Sequence, residues 1–189
     1  NEVSKFSGLR VHVIGDTIVD TYTYSTVIGS KGKTPTLSVK YLDEEDYLGG
    51  AGIVSKHLKS AGAEIEFTTL LGNDSLKDWV LEELKSFGIK TNPIIDSSRP
   101  TIRKNVVIAD NYRLLKIDKL DNRVISAEVL DKFCSFIKKS KTDGVIFSDF
   151  RHGIFNRDTV PILSSAIPAC VYRVADSQVA SRWGDITEF

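Results

Sequence analysis

The sequence predicts an α/β fold, a parallel sheet covered by helices, with a small antiparallel sheet inserted into it twice. Three observations predict it. Strand-like apolar runs alternate with helical patterns along most of the 189 residues. Two stretches instead show period-two alternation with polar partners, which suits half-buried antiparallel strands and not a buried parallel sheet. The composition, 41% hydrophobic and 26% charged, is that of a globular chain with enough apolar material for a core.

Residues 9–15 (LRVHVIG) read as a buried strand ending in glycine, with His12 a core histidine. Tyr22, Tyr24 and Val27 then alternate with threonine and serine. Leu37, Val39 and Tyr41 do the same after a glycine and lysine turn. Gly49-Gly50 opens a helix in which Ala51, Val54, Leu58 and Ala61 share a face, and Gly62 ends it. Residues 64–71 form a strand. Asn73-Asp74-Ser75 offers N-caps for a helix striped by Leu76, Trp79, Val80, Leu84 and Phe87. Residues 102–109 and 113–118 read as two more strands around an Asp110-Asn111 turn. The small sheet is therefore expected within about residues 21–42 and 91–118.

Ser126, with Glu128 in the first turn, starts a third helix that buries Val129, Leu130, Phe133, Phe136 and Ile137. Residues 144–148 are a short strand, 156–166 a helix with Pro161 inside, and 169–174 a last strand. Neither a repeat nor a linker divides the chain, so residues 1–189 read as one domain.

With 25 Lys+Arg against 25 Asp+Glu, the balance argues against nucleic acid or an anionic membrane as partner. No apolar run approaches the roughly 18 residues of a membrane span, and no signal peptide opens the chain. Cys134 and Cys170 lack metal-ligand spacing, so neither a zinc site nor a disulfide scaffold is expected. Methionine is absent and the chain begins at Asn1, which reads as a processed product or a fragment.

Chemistry is expected where strands end, since ligands of open parallel sheets bind at the carboxyl edge. Asp16 and Asp20 follow the first strand and could accept hydrogen bonds from neighbouring sugar hydroxyls, or Asp16 could simply cap a turn. Gly49 and Gly50 let a ligand approach the backbone at a helix N-terminus. Ser148-Asp149-Phe150-Arg151-His152-Gly153 follows another strand, where Arg151 could meet a phosphate or stay solvated.

These residues resemble the ribokinase, or PfkB, family of carbohydrate kinases. Gly49, Gly50, Ala51, Ser55, Gly62 and Gly72 fall in register with its first signature. GDTIVD at 15–20 and RLLKID at 113–118 look most like the heptose 7-phosphate kinase branch. So does Ser148-Asp149-Phe150, and Ala175-Asp176-Ser177-Gln178 resembles that branch's Asp-Pro-Lys region. The resemblance implies a ribokinase-like three-layer α/β/α sandwich with an inserted β-lid. It also implies an ATP-dependent, Mg2+-assisted transfer of phosphate to a sugar hydroxyl in the cytoplasm, with a possible homodimer through the lid. Asp16, Asp20, Gly49 and Gly50 would bind the sugar, and Lys33, Arg103 and Lys104 a substrate phosphate. Asp149, Arg151 and Asp176 would lie near the nucleotide.

Three positions depart from the family. Ile53 stands where a sugar-contacting asparagine is usual, His152 where a lysine is, and Lys33-Thr34-Pro35-Thr36 where the heptose branch has an acidic lid turn. The family's Asn-x-x-Glu and Gly-x-Gly-Asp motifs would fall beyond Phe189. No catalytic residue is therefore assigned within the chain, which is expected to be one incomplete domain and inactive alone. A non-catalytic sugar-binding or dimerising module is the alternative reading. A kinase for another sugar or a nucleoside is a third.

Overall fold

β1 (Arg10–Gly15) forms the centre of a parallel sheet, because every residue after Arg10 is buried on one face or the other. In the computed structural model, which describes residues 6–29, 36–178, 183–184, 187 and 189, four strands join it. They are β4 (Glu64–Leu71), β5 (Lys90–Ile95), β8 (Gly144–Asp149) and β9 (Tyr172–Ser177), in the order β5-β4-β1-β8-β9. All four pairings are parallel.

Val11, Val13, Ile65 and Phe67 pack on one face against α1 (Ala51–Ser60) and α2 (Ser75–Ser86), through Ala51, Val80 and Leu84. On the other face Ile14, Leu70, Ile94 and Phe147 meet α3 (Ala127–Lys139) and α4 (Thr159–Ser165), through Phe133, Ile137 and Leu163. The result is the expected α/β/α sandwich. Local chemistry explains the helix starts. Asp74 accepts from Lys77 N–H, and Ser126 from Val129 N–H. Pro161 falls in the first turn of α4, where its missing N–H costs no helical hydrogen bond. His12 is fully buried, with Nε2 2.7 Å from Thr68 Oγ1, and burial lowers its pKa to about 4.

The second sheet, in the order β3-β2-β6-β7, is built from β2 (Thr17–Gly29), β3 (Ser38–Gly50), β6 (Ile102–Ala109) and β7 (Tyr112–Lys119). Asp110 and Asn111 both have positive φ, 48° and 68°, as a tight two-residue hairpin requires.

Three expectations need correction. The small sheet is mixed, because β2 and β6 both leave the carboxyl edge of the main sheet in the same direction and pair in parallel. Residues 91–95 do not belong to it. They form β5, an outer strand of the main sheet, where Pro93 is tolerated because no further strand needs its N–H. The last strand begins at Tyr172, three residues later than read, so Ala175-Asp176-Ser177 lies inside β9 and does not follow it. Lys33 falls outside the described residues.

Candidate functional site

The carboxyl edge of the main sheet and one face of the small sheet meet around Asp16. This residue follows β1 directly and is only 2% exposed. Its Oδ2 accepts the Phe150 N–H at 2.9 Å and the His152 N–H at 3.3 Å. Its carbonyl accepts the Ala51 N–H at 2.8 Å. One residue thereby ties the β8 loop to the start of α1. Burial pushes the carboxyl pKa up to about 7. The two N–H donors and Lys104 oppose the rise, and Asp149 adds to it.

Four residues on, strand alternation turns Asp20 onto the face of the small sheet that looks toward Asp16. Register places Lys104 of β6 beside Asp20, and Asp118 of β7 beside Lys104. Partial burial raises the Asp20 pKa, while Lys104 and Lys116 pull it down and Asp118 raises it. Diagonally across on β3, a Cβ on Gly49 would overlap the Asp20 carboxylate, so glycine is what lets that carboxylate lie against the β3 backbone. Gly50 has φ 59°, and a side chain there would collide with the Asp16 carbonyl.

Arg103, the neighbour of Lys104, does not join this face. Its Nε donates to Thr21 Oγ1 at 2.9 Å, and its guanidinium pairs with Glu44 on the opposite side of the sheet. Arg103 and Lys104, expected together as phosphate contacts, thus point to opposite faces of the sheet, as the period of two requires.

The residues expected near the nucleotide divide likewise. Asp149 is 3% exposed and already accepts three hydrogen bonds: Oδ1 accepts the Arg151 N–H at 2.7 Å. Its Oδ2 accepts Ser177 Oγ–H at 2.8 Å and Trp183 Nε1–H at 2.6 Å. It is a buried fastener, not a free carboxylate. Arg151 is exposed at the lip of the β8 loop with φ 69°, and Asp176 is exposed on β9.

Lys116, Asp118 and Asn122 were given no site role by the sequence, and His152 only a departure from the family pattern. Lys116 and Asp118 stand at alternate positions of β7, a spacing that shows they share a face but not which one. His152 is 5% exposed, and its Nδ1–H donates to Asn122 Oδ1 at 2.7 Å. Burial, then Lys104 and Arg151, hold its pKa down at about 4 against Asp149 and Asp118, so the ring is neutral. Asn122 carried no signal in the sequence.

Two carboxylates and a lysine thus lie over glycine backbone where the small sheet meets the carboxyl edge of the parallel sandwich. Solved carbohydrate kinases share this fold. A carbohydrate kinase from Agrobacterium tumefaciens superposes with TM-score 0.60 at 16% identity, over 88% of this chain and 53% of that one. Phosphofructokinase-2 from Escherichia coli in complex with fructose-6-phosphate superposes with TM-score 0.67 at 11% identity, over 89% and 55%. In sequence the chain is similar to the bifunctional protein HldE of Desulfatibacillum aliphaticivorans, 31% identical over 86% of this chain and 34% of that protein. The HldE of Helicobacter pylori strain J99 is 32% identical over 78% and 32%. The chain thus spans about a third of the length of these curated relatives. No protein-family model matches it.

Proposed function

We propose that this chain forms the sugar-binding floor and lid of an ATP-dependent kinase acting on a sugar phosphate of the heptose type. The observation that carries the reading is the convergence of Asp16, Asp20, Lys104 and the Gly49-Gly50 backbone between the two sheets. Asp20 accepts two neighbouring hydroxyls of the sugar. Asp16, near half-protonated at neutral pH, accepts from or donates to another hydroxyl. Lys104 meets the substrate phosphate as a point charge. The similarity to HldE supports the heptose assignment.

ATP is the proposed donor, with the exposed Arg151 of the β8 loop offered as a contact for its phosphates. Mg2+ would reach the site with the ATP phosphates: Asp149 already accepts three hydrogen bonds, and no group of three or more His, Cys, Asp or Glu among the described residues could hold a metal alone. No step through the metal is derived. A cytoplasmic location follows from the use of ATP; no helix among the described residues is long and apolar enough to cross a membrane.

Isothermal titration calorimetry of the chain with heptose 7-phosphate, fructose 6-phosphate and ribose tests the reading. Heptose 7-phosphate is expected to bind most tightly, and Asp20→Ala to abolish the signal. Binding of none of the three, or undiminished binding by Asp20→Ala, overturns it.

A second reading, a dimerising module, is favoured by one observation. Leu115 and Ile117 are 51% and 53% exposed on the far face of the small sheet, beside Val107 and Asn105. Pairing of two copies through that face is compatible with the kinase reading.

A further inference from the structure

The face of the small sheet that carries Asp20 does not end there. Outward along β2, the same alternation presents Tyr22 and Tyr24, and β3 adds Tyr47, the register partner of Asp20. These residues line one open groove with Ile108 and Arg113. From Asp20 to the level of Tyr24 the strand advances four residues, or about 13 Å. That is longer than a single hexose ring.

The tyrosines are arranged, not merely adjacent. Tyr22 and Tyr47 meet edge to face, with ring centroids 5.8 Å apart and planes at 79°. Glu45 Oε2 accepts the Tyr47 O–H at 2.8 Å and the Tyr24 O–H at 3.2 Å, so one carboxylate fixes two rings. Burial, then the Glu45 contact, raises the pKa of the Tyr24 phenol, and the Glu45 contact raises that of Tyr47, so both stay protonated as donors. Tyr47 is 52% exposed, leaving ring surface open to a ligand. Rigid aromatic faces edged by a carboxylate at one end and a guanidinium at the other match a polyhydroxylated ring: its C–H face packs on the aromatics and its rim hydroxyls reach the polar groups.

We propose that this tyrosine groove is a second subsite, holding a second sugar ring joined to the one bound at Asp20. The ligand class is then a disaccharide or a glycosylated sugar phosphate. The proposal rests on the sugar-binding reading above and extends it outward along the lid. Arg113 at the outer end favours a ring bearing an anionic substituent over a cationic one.

The test compares α-1,3-mannobiose and cellobiose with mannose, glucose and fructose 6-phosphate, by calorimetry and by proton NMR of the sugars. At least one disaccharide is expected to bind about three- to tenfold more tightly than its own monosaccharide. The protons of its second ring should shift upfield from the tyrosine ring currents. Tyr24→Ala should remove both the gain and the shift while monosaccharide binding persists. Tyr24→Phe, which keeps the ring, should retain most of both.

Equal affinity of disaccharide and monosaccharide overturns the subsite. So does a gain that survives in Tyr24→Ala, or a Tyr24→Ala effect confined to self-association of the chain. Failure of heptose 7-phosphate to bind while a disaccharide binds through Tyr24 sinks the Asp20 reading instead. If no sugar binds at all, both fall.

Discussion

At neutral pH the Asp16 carboxyl sits close to its titration midpoint, because burial lifts its pKa to about 7. The folded state therefore holds this proton more tightly than the unfolded chain does. The resulting stability is fully present below about pH 4 and is lost as pH rises through about 7. Asp16→Asn keeps an oxygen for the Phe150 and His152 N–H groups but removes the buried charge. It is expected to gain on the order of 2 kcal/mol at pH 8 and almost nothing at pH 4, read by urea denaturation. Sugar binding should fall in the same variant. Lys104 and Arg103 offer a sharper contrast. Lys104→Ala should weaken sugar-phosphate binding about tenfold or more, as loss of a charge-assisted contact does. Arg103→Ala should leave it unchanged, and calorimetry on the pair checks both. That contrast follows from strand alternation, which the expectation of both residues as phosphate contacts passed over. The role of Asp149 was not, because its partners Ser177 and Trp183 lie 28 and 34 positions away.

Among the elements, the turn from β3 into α1 concentrates the constraint. Gly50→Ala places a side chain at φ 59° and against the Asp16 carbonyl, so it should cost about 2 kcal/mol or more of stability. Gly49→Ala meets only the movable Asp20 carboxylate. Its expected signature is weakened sugar binding with a smaller loss of stability, separable by pairing thermal melts with titrations. The glycine pair, the caps at Asp74 and Ser126 and the hairpin at Asp110-Asn111 were readable because each rests on local backbone chemistry. Strand β5 was not. Lys90, Asn92 and Pro93 give it neither alternation nor a continuous apolar run. It pairs because β4 offers an open edge, and because Lys90 and Asn92 both donate to Glu66. The parallel pairing of β2 with β6 was likewise invisible, since direction is set by where each strand leaves the main sheet.

For the molecule as a whole, one face of the small sheet carries Asp20 and the tyrosines, and the other exposes Leu115 and Ile117 on the same side as the Arg103–Glu44 pair. Burial of Leu115 and Ile117 between two copies would remove both from water, so the chain is expected to dimerise. Leu115→Lys with Ile117→Lys should convert it to a monomer in sedimentation experiments, with sugar binding by the other face retained if each site is self-contained. The sandwich was legible from its alternation of strand and helix, and the lid from its polar alternation.

The joints between the two sheets are unusually short. Asp16 alone separates β1 from β2, and β3 passes into α1 with no residue between them. The lid has no slack tether on this side. Any tilt must rotate about Asp16 and Gly50, the two residues linked through the Ala51 amide. In the proposed function those residues also floor the binding site, so axle and sensor would coincide. A ligand hydroxyl that engages Asp16 therefore acts on the pivot itself, and the lid's angle is read out in the geometry of one carboxyl group.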